Sequence, residues 1–421
     1  MTATYEKVFG LQQEALRCPY EHFARNRADD PVTFNDNLNM WIVTDHRCVS
    51  AALRDAKTFS TKEMLGPATA AEWQRMIDLA AATEEGRERM GPEYGSNPRK
   101  TLLFADPPEH TAHRKLIAGA MSAPAIASWE PRIRQTAQRF VDRLAARPQV
   151  EFVTEFAAPY TMTVIADILG LAADMVPRML YWTRGFNSMI GNPLTDEEVA
   201  ELVDVRLGFD IYFDEQMTAR RAAPTTDLIS RIVELNDTAA EPLSRDELLM
   251  VLQLAMVGGS DTSSTGLSRM MEYLCDEPGE WDRLRAEPEL VPAFIEELLR
   301  TESPLQGLFR VATRDVELGG RKIAKGETLW LSLAAANRDP EVFENADEKR
   351  LSRHNVVSRY LMFGGGPHLC PGAALTRLEL RVVLEMLVAK FSAVERVSPP
   401  ADRIKSFMFY GPGSLPVSFT A

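Results

Sequence analysis

The sequence predicts an α+β fold: one domain over residues 1–421, mostly helical, with a minor antiparallel sheet. Three observations lead there. Residues 109 to about 300 carry helical spacing almost throughout, strand-like alternation is confined to residues 31–46 and 310–334, and no repeat, low-complexity tract or linker divides the chain.

Each element has a local cause. The start, MTATYEKVFGLQQEAL, lacks the basic residues and apolar run of a signal peptide. PVTFNDNLNMWIVTDH, residues 31–46, sets two β-rich runs around Asn35-Asp36-Asn37 and reads as a hairpin. Residues 60–104, rich in Gly, Pro, Met and charge, read as a long irregular loop or lid. Ser244 and Glu247 then fit a capping box, opening a helix that runs to Asp276-Glu277, where Pro278 ends it. So long a helix, apolar on most sides in its first half, is expected to cross the middle of the molecule. Turns at Gly319-Gly320 and Lys325-Gly326 divide the second strand region, and a last helix, ALTRLELRVVLEMLVAKF, follows Cys370.

Composition excludes several classes. Lys and Arg total 47 against 60 Asp and Glu, a net charge of −13. That balance argues against a nucleic-acid partner, because neutralising phosphates needs clustered cations. The four cysteines, Cys18, Cys48, Cys275 and Cys370, show no paired spacing, which points to a reducing, cytoplasmic setting. No stretch reaches the roughly 18 uninterrupted apolar residues of a membrane span, so no membrane partner is expected.

Five short stretches carry chemistry. FGGGPHLCPG, residues 363–372, places one cysteine after a glycine-rich turn and before a proline suited to the first position of a helix. The positive end of that helix favours thiolate at Cys370, the glycines let the backbone approach something large and flat, and His368 adds a donor. A single thiolate in this setting suits haem iron; a structural cysteine is the plain alternative. Gly258-Gly259-Ser260-Asp261-Thr262-Ser263 interrupts the long helix with two glycines and an acid beside an alcohol. It reads either as a kink with a proton relay or as a packing notch with Asp261 in an ion pair. Glu297 and Arg300 form an i,i+3 pair that is usually solvated. His110 and Arg114 share a helical face that suits a carboxylate, or is simply a wet surface. Arg310 stands at the start of a strand-like run.

In this order, these pieces resemble the cytochrome P-450 superfamily of haem-thiolate monooxygenases, in its soluble bacterial form. FGGGPHLCPG matches the family's F-G-x-G-x-H-x-C-x-G loop at each defined position, GGSDTS its acid–alcohol signature, ELLR its E-x-x-R, and DPPEHTAHR the segment opening the helix that reaches a haem propionate. ALRDAKTFST, ANRDPEVFENAD and GPGSLPVSF extend the similarity over nearly the whole chain. Ser263 stands where many relatives have threonine, and the 60–104 segment is long for the family.

The resemblance implies haem b (iron protoporphyrin IX) between the long central helix and the cysteine loop. It gives Cys370 the axial thiolate, with Phe363, Gly364 and Gly372 shaping the loop around it. His110, Arg114, Arg310 and His368 hold the propionates, and Glu297 and Arg300 form a buried structural pair with Arg353. Asp261 and Thr262 supply protons for O2 activation. Leu254, Val257, Gly258, Leu305, Gln306 and Leu308 line the substrate pocket, with Gln306 its one polar anchor. Trp182 and Phe186 belong to a lid, and Phe407 to Tyr410 form a far wall. The implied reaction inserts one oxygen atom from O2 into a C–H bond of a hydrophobic small molecule: terpenoid, steroid, fatty-acid-like or alkylaromatic. With no flavin or iron–sulfur segment in the sequence, electrons come from a separate ferredoxin and reductase, docking near Lys115, Arg359 and Arg377. A peroxide-driven haem-thiolate peroxygenase and a non-enzymatic haem sensor are the alternatives.

Overall fold

The computed structural model describes residues 3–84, 87, 102–147, 149–190 and 193–421. They fall into two compact units: residues 1–59, 130–161 and 261–421 form the first, and residues 60–129 and 162–260 the second.

The first unit holds the sheets. Val32–Asn35 and Met40–Val43 form the hairpin, Val32 opposite Val43, with Asn39 in the left-handed region and the Leu38 N–H donating to Asn35 Oδ1 across the turn. In the five-stranded sheet the order is Val32–Asn35, Met40–Val43, Thr328–Ser332, Gly307–Ala312, Phe59–Ser60. The pairs at Val32/Val43 and Leu308/Leu331 are antiparallel, but Trp41 to Val43 run parallel to Leu329 to Leu331, so the sheet is mixed. Pairing across nearly 290 residues leaves no mark on local alternation, which is why only the hairpins are visible in the sequence. A smaller antiparallel sheet joins Gln149–Glu151, Pro416–Thr420 and Ala393–Arg396. Phe9, Phe309, Trp330 and Phe407 fill one side of the larger sheet, with Phe9–Phe407 ring centroids 4.7 Å apart and Phe309–Trp330 4.9 Å. Phe407 and Tyr410, expected to form a far wall, are each 5% exposed.

The stretch Phe152–Leu169 is long and apolar enough to cross a membrane, but 61% of it is buried inside the protein. Phe152 stacks on Phe156 at 4.8 Å, and Tyr160 meets Phe140 edge-on at 5.8 Å, so its apolar surface is spent on core.

The second unit is helical. Part of the segment expected to be irregular is the 15-residue helix Pro67–Ala81. Gly66, at a positive φ, and Pro67 at the first position start it, and Thr69, Glu72, Met76, Ile77 and Ala80 bury one face at helical spacing. Of the rest of that expected loop, residues 85, 86 and 88–101 lie outside the described residues. Trp182 and Phe186, expected to belong to a lid, meet Phe209 at 5.7 and 5.5 Å in the unit's aromatic core and are 1% and 4% exposed.

Gly170 is a junction of this unit. Its φ is +72°, and an added Cβ would stand 2.5 Å from Asp227 Cβ. Asp227 caps the helix Leu228–Asp237 through the Ser230 N–H at 2.7 Å, and Arg220 donates both to Asp227 at 3.0 Å and to the Gly170 carbonyl at 2.7 Å. Gly170→Ala is expected to lower stability by about 2–4 kcal/mol, the sum of backbone strain, a displaced cap and a disturbed ion pair. Denaturant unfolding measures it; a midpoint equal to that of the parent would show that the junction gives way freely.

Candidate active site

In the first unit the FGGGPHLCPG loop is shaped by its glycines. Gly364 and Gly366 have φ of +73° and +63°, and a Cβ on Gly366 would lie 2.6 Å from the Leu53 carbonyl oxygen, so only glycine fits. A single 3-10 turn, Gly366–His368, leads to Cys370, whose N–H donates to the Phe363 carbonyl at 2.9 Å. The half-buried thiol stands just before the helix Ala373–Lys390, and Gly372 is close beside it: a Cβ there would stand 3.8 Å from Sγ. Arg377 lies 4.5 Å over the Phe363 ring and donates to Glu296 at 2.8 Å and the Tyr360 hydroxyl at 2.6 Å. Arg359 donates to the Val342 carbonyl and lies over Phe343. Both cations thus have local work, whatever docks nearby. Arg310 is 1% exposed and donates to the Phe309 carbonyl at 2.7 Å.

Behind the loop, Glu297 and Arg300 form a buried bidentate pair, 2.9 Å at both contacts, and Arg353 adds a donor 3.1 Å from each Glu297 oxygen. Burial works against the Glu297 carboxylate, but Arg300, the Arg350 N–H and Arg353 hold it below the ordinary range, so the pair is ionised. Arg300 also donates to the carbonyls of Asn337, Ala346 and Glu348. Asn337 Oδ1 in turn accepts the Leu361 N–H at 2.6 Å, two residues before Phe363, so the pair reaches the start of the cysteine loop through one side chain.

The central helix is Arg245–Asp276, with Ser244 and Glu247 making the reciprocal capping bonds. It stays helical through the glycine pair. Gly259 is a packing notch, since a Cβ there would stand 2.5 Å from Ile165 Cδ1, whereas among the described residues no atom outside its own stretch of helix lies within 4 Å of a Cβ on Gly258. Leu254, Val257, Gly258, Asp261, Thr262 and Thr265 keep accessible surface while most of the helix around them is buried. Their spacing is that of one face, so an apolar stretch leads directly to an acid–alcohol pair on the same part-exposed face.

Of the remaining expected pocket residues, Leu305 is half-buried, and Gln306 and Leu308 are 4% and 7% exposed. Gln306 donates its amide to the Ser303 carbonyl at 2.8 Å, while its backbone bonds to Met408 and Ala334. Its amide is thus held inside the protein, while its Oε1 is buried and accepts no hydrogen bond among the described residues; Leu308 pairs with Leu331 in the sheet. Local spacing states neither arrangement.

One residue escaped the sequence reading. Glu379, fully buried on the last helix, stands 2.7 Å from Ser263 Oγ, itself 3.3 Å from Thr376 Oγ1. Burial pushes the Glu379 carboxyl up to about 8, against the opposing hydrogen bond from Ser263. Its signal was present: Leu375, Leu378, Val382 and Val383 mark the buried face of that helix, and Glu379 falls among them.

In the second unit, the helix Glu109–Ala120 carries His110, buried, and Arg114, half-buried, one turn apart. Burial, and then Arg114 and His113, lower the His110 imidazole below its ordinary value, so it is neutral and can donate one N–H. The Arg206–Asp210 pair is buried in the same unit, with Arg206 also donating to Gln253 of the central helix.

These residues fit a haem. The loop offers one thiol after glycines that let the backbone turn and approach a large flat group, next to a helix N-terminus. The first unit adds the buried Arg310 guanidinium and the His368 ring, suited to carboxylates, and among the described residues the central helix leaves room for a side chain at Gly258. The family profile for cytochrome P450 matches residues 209–412. Cytochrome P450 107B1 of Saccharopolyspora erythraea is 32% identical over 392 residues, covering 91% of this chain and 90% of its own. Linalool 8-monooxygenase of Pseudomonas putida is 30% identical, covering 90% of each. The structure of cytochrome P450 CYP109Q5 from Chondromyces apiculatus superposes with a TM-score of 0.81 over 97% of both chains at 31% identity. The chain belongs to the cytochrome P450 family and is a haem-binding monooxygenase of bacterial type.

Proposed function

We propose that this monooxygenase hydroxylates a hydrophobic small molecule of terpenoid or steroid character, using O2 and electrons from a separate ferredoxin and its reductase. The observation that carries the reading is the part-exposed stripe of the central helix: Leu254, Val257 and Gly258 are its apolar stretch, and one turn later Asp261 and Thr262 add a carboxylate and a hydroxyl. Cys370 would hold the haem iron through its thiolate, and His110, Arg114, Arg310 and His368 would hold the propionates. Haem held there supplies the oxidising chemistry. The chain's own part is to exclude water with the apolar stretch, orient the substrate C–H along it, and pass protons from the Asp261 carboxyl to Thr262 Oγ1. The relative named for linalool oxidises a molecule of matching polarity. Leu369, next to Cys370 and 47% exposed, gives a protein donor an apolar contact close to the metal ligand.

The test is turnover with a surrogate ferredoxin pair and a substrate chosen by its optical spin-state shift. Thr262→Ala is expected to keep consuming O2 while product per O2 falls about tenfold or more and hydrogen peroxide appears. Unchanged coupling would sink the proton role and favour a peroxide-driven enzyme.

A further inference from the structure

His113 lies one residue before Arg114, yet it takes part in something else. Its ring is 1% exposed and bonded at both nitrogens. Nδ1 accepts the Leu102 N–H at 3.0 Å, and Nε2 donates to Glu247 Oε1 at 3.2 Å. One nitrogen accepting and the other donating is the pattern of a single neutral tautomer. Glu247 is the capping-box carboxylate of the central helix, and its other oxygen takes the Ser244 N–H at 2.8 Å. The hydrogen bond from His113, and then those from Ser244, hold this carboxyl at about 2 against burial, so it stays an acceptor at any working pH. All of these residues belong to the second unit.

Two geometric facts give the arrangement a consequence. Glu247 and Leu254 are seven residues apart, two turns and about 10 Å along the helix, and so share a face. The backbone that His113 holds is the start of Leu102-Leu103-Phe104, three half-buried apolar residues that lead through Asp106 to the helix of His110. Asp106 is itself tied down, accepting the Thr61 N–H at 2.9 Å and the Ser60 hydroxyl at 2.6 Å. The apolar run is thus fixed at its far end by Asp106 and at its near end by His113, upstream of the Leu254–Val257 stretch.

We propose that His113 is a positioning residue for substrate: its imidazole pins the Leu102–Phe104 run to the upstream end of the apolar face of the central helix and so sets how tightly a hydrophobic substrate is held. This rests on the reading of that face as the substrate side. It makes no contact with haem or with reacting atoms, so binding is expected to respond while the chemical step does not.

Two side chains separate the two bonds. Asparagine places an acceptor near the position of Nδ1 and falls short of Glu247; glutamine reaches Glu247 but has nothing at Nδ1. Hydrogen exchange at the Leu102 amide reads the pin directly, without substrate or turnover. His113→Gln is expected to speed that exchange about five- to tenfold, the worth of one hydrogen bond, and His113→Asn to leave it near the parent value. In spin-state titrations His113→Gln is expected to weaken substrate binding by a similar factor with kcat unchanged, and His113→Asn to restore it. Equal Leu102 exchange in all three proteins would overturn the pin. Faster exchange in His113→Gln with unaltered binding would overturn the substrate role alone, and a fall in kcat matching the loss of binding would also count against it. A failure of haem to bind the parent protein would refute the monooxygenase reading and leave the exchange result standing.

Discussion

Replacing Arg300 with leucine is expected to leave little or no soluble, haem-loaded protein. Arg300 is fully buried and its guanidinium makes five hydrogen bonds, two to Glu297 and three to main-chain carbonyls. Breaking a buried ion pair from one side costs about 3–5 kcal/mol, because the other charge stays behind. The carbonyls of Asn337, Ala346 and Glu348 add to that by losing their donor inside the protein. Against a total stability of about 5–15 kcal/mol, the loss takes most of the margin. Asn337 also holds the Leu361 N–H, so whatever folds has a cysteine loop without its usual anchor. Arg300→Lys keeps the charge but cannot form the bidentate fork, and should fall between the two. The double replacement Glu297→Leu, Arg300→Leu removes both charges and is expected to be less harmful than the two single losses combined, although Arg353 then lacks its carboxylate. Soluble yield, thermal midpoint and the haem-to-protein ratio measure all three. A leucine variant with parental midpoint and full haem would show the pair to be dispensable.

This pair also shows where a sequence stops being readable. Glu-Leu-Leu-Arg has the spacing of any solvated helix pair, and nothing local states that the side chains are buried; only their three distant carbonyl partners make the motif structural. The cysteine loop lies at the other extreme. Its glycines are needed at their own positions, because Gly366 touches the Leu53 backbone and Gly364 has a positive φ, so the requirement is written locally and can be read locally. The capping box at Ser244 and the hairpin at Asn35 are legible for the same reason. Apolar side chains are the ambiguous case. Trp182, Phe186, Phe407, Leu308 and Leu254 look alike in a sequence, and only the fold separates the first four, each 7% exposed or less, from Leu254, which keeps more of its surface. Gln306 is ambiguous in the same way: a polar residue in an apolar stretch reads as an anchor, and nothing local states that a carbonyl three residues back takes its amide. The helix Pro67–Ala81 was hidden by its flanks, since glycine, proline and charge on both sides outweighed one turn-spaced apolar face.

Glu379 makes the second large effect, and it is one of pH. The folded protein raises this carboxyl from an ordinary value of 4.5 to about 8 by burial, so between those values the native state holds a proton that the unfolded chain has released. Stability rises with pH where the unfolded state binds more protons; here the native state binds more, and the sign reverses. Below about pH 4.5 both states are protonated and Glu379 costs nothing. Through the window from 4.5 to 8 its contribution falls, and above 8 the penalty is constant because the native carboxyl ionises too. Between pH 5 and pH 8 the loss from this one group is about 3 kcal/mol. Glutamine has the same shape, can still bond to Ser263, and carries no titrating proton. The difference in unfolding free energy between Glu379→Gln and the parent is therefore expected to grow by about 3 kcal/mol in favour of glutamine from pH 5 to pH 8, while the many shared groups cancel. Urea unfolding of both proteins across that range decides it. A difference that stays flat with pH would mean the carboxyl is not held neutral, and that water or a rearranged neighbour reaches it. A difference that grows as stated would establish a protonated acid bonded to the hydroxyl of Ser263, the residue that follows Thr262, under conditions where free carboxylic acids have long since ionised.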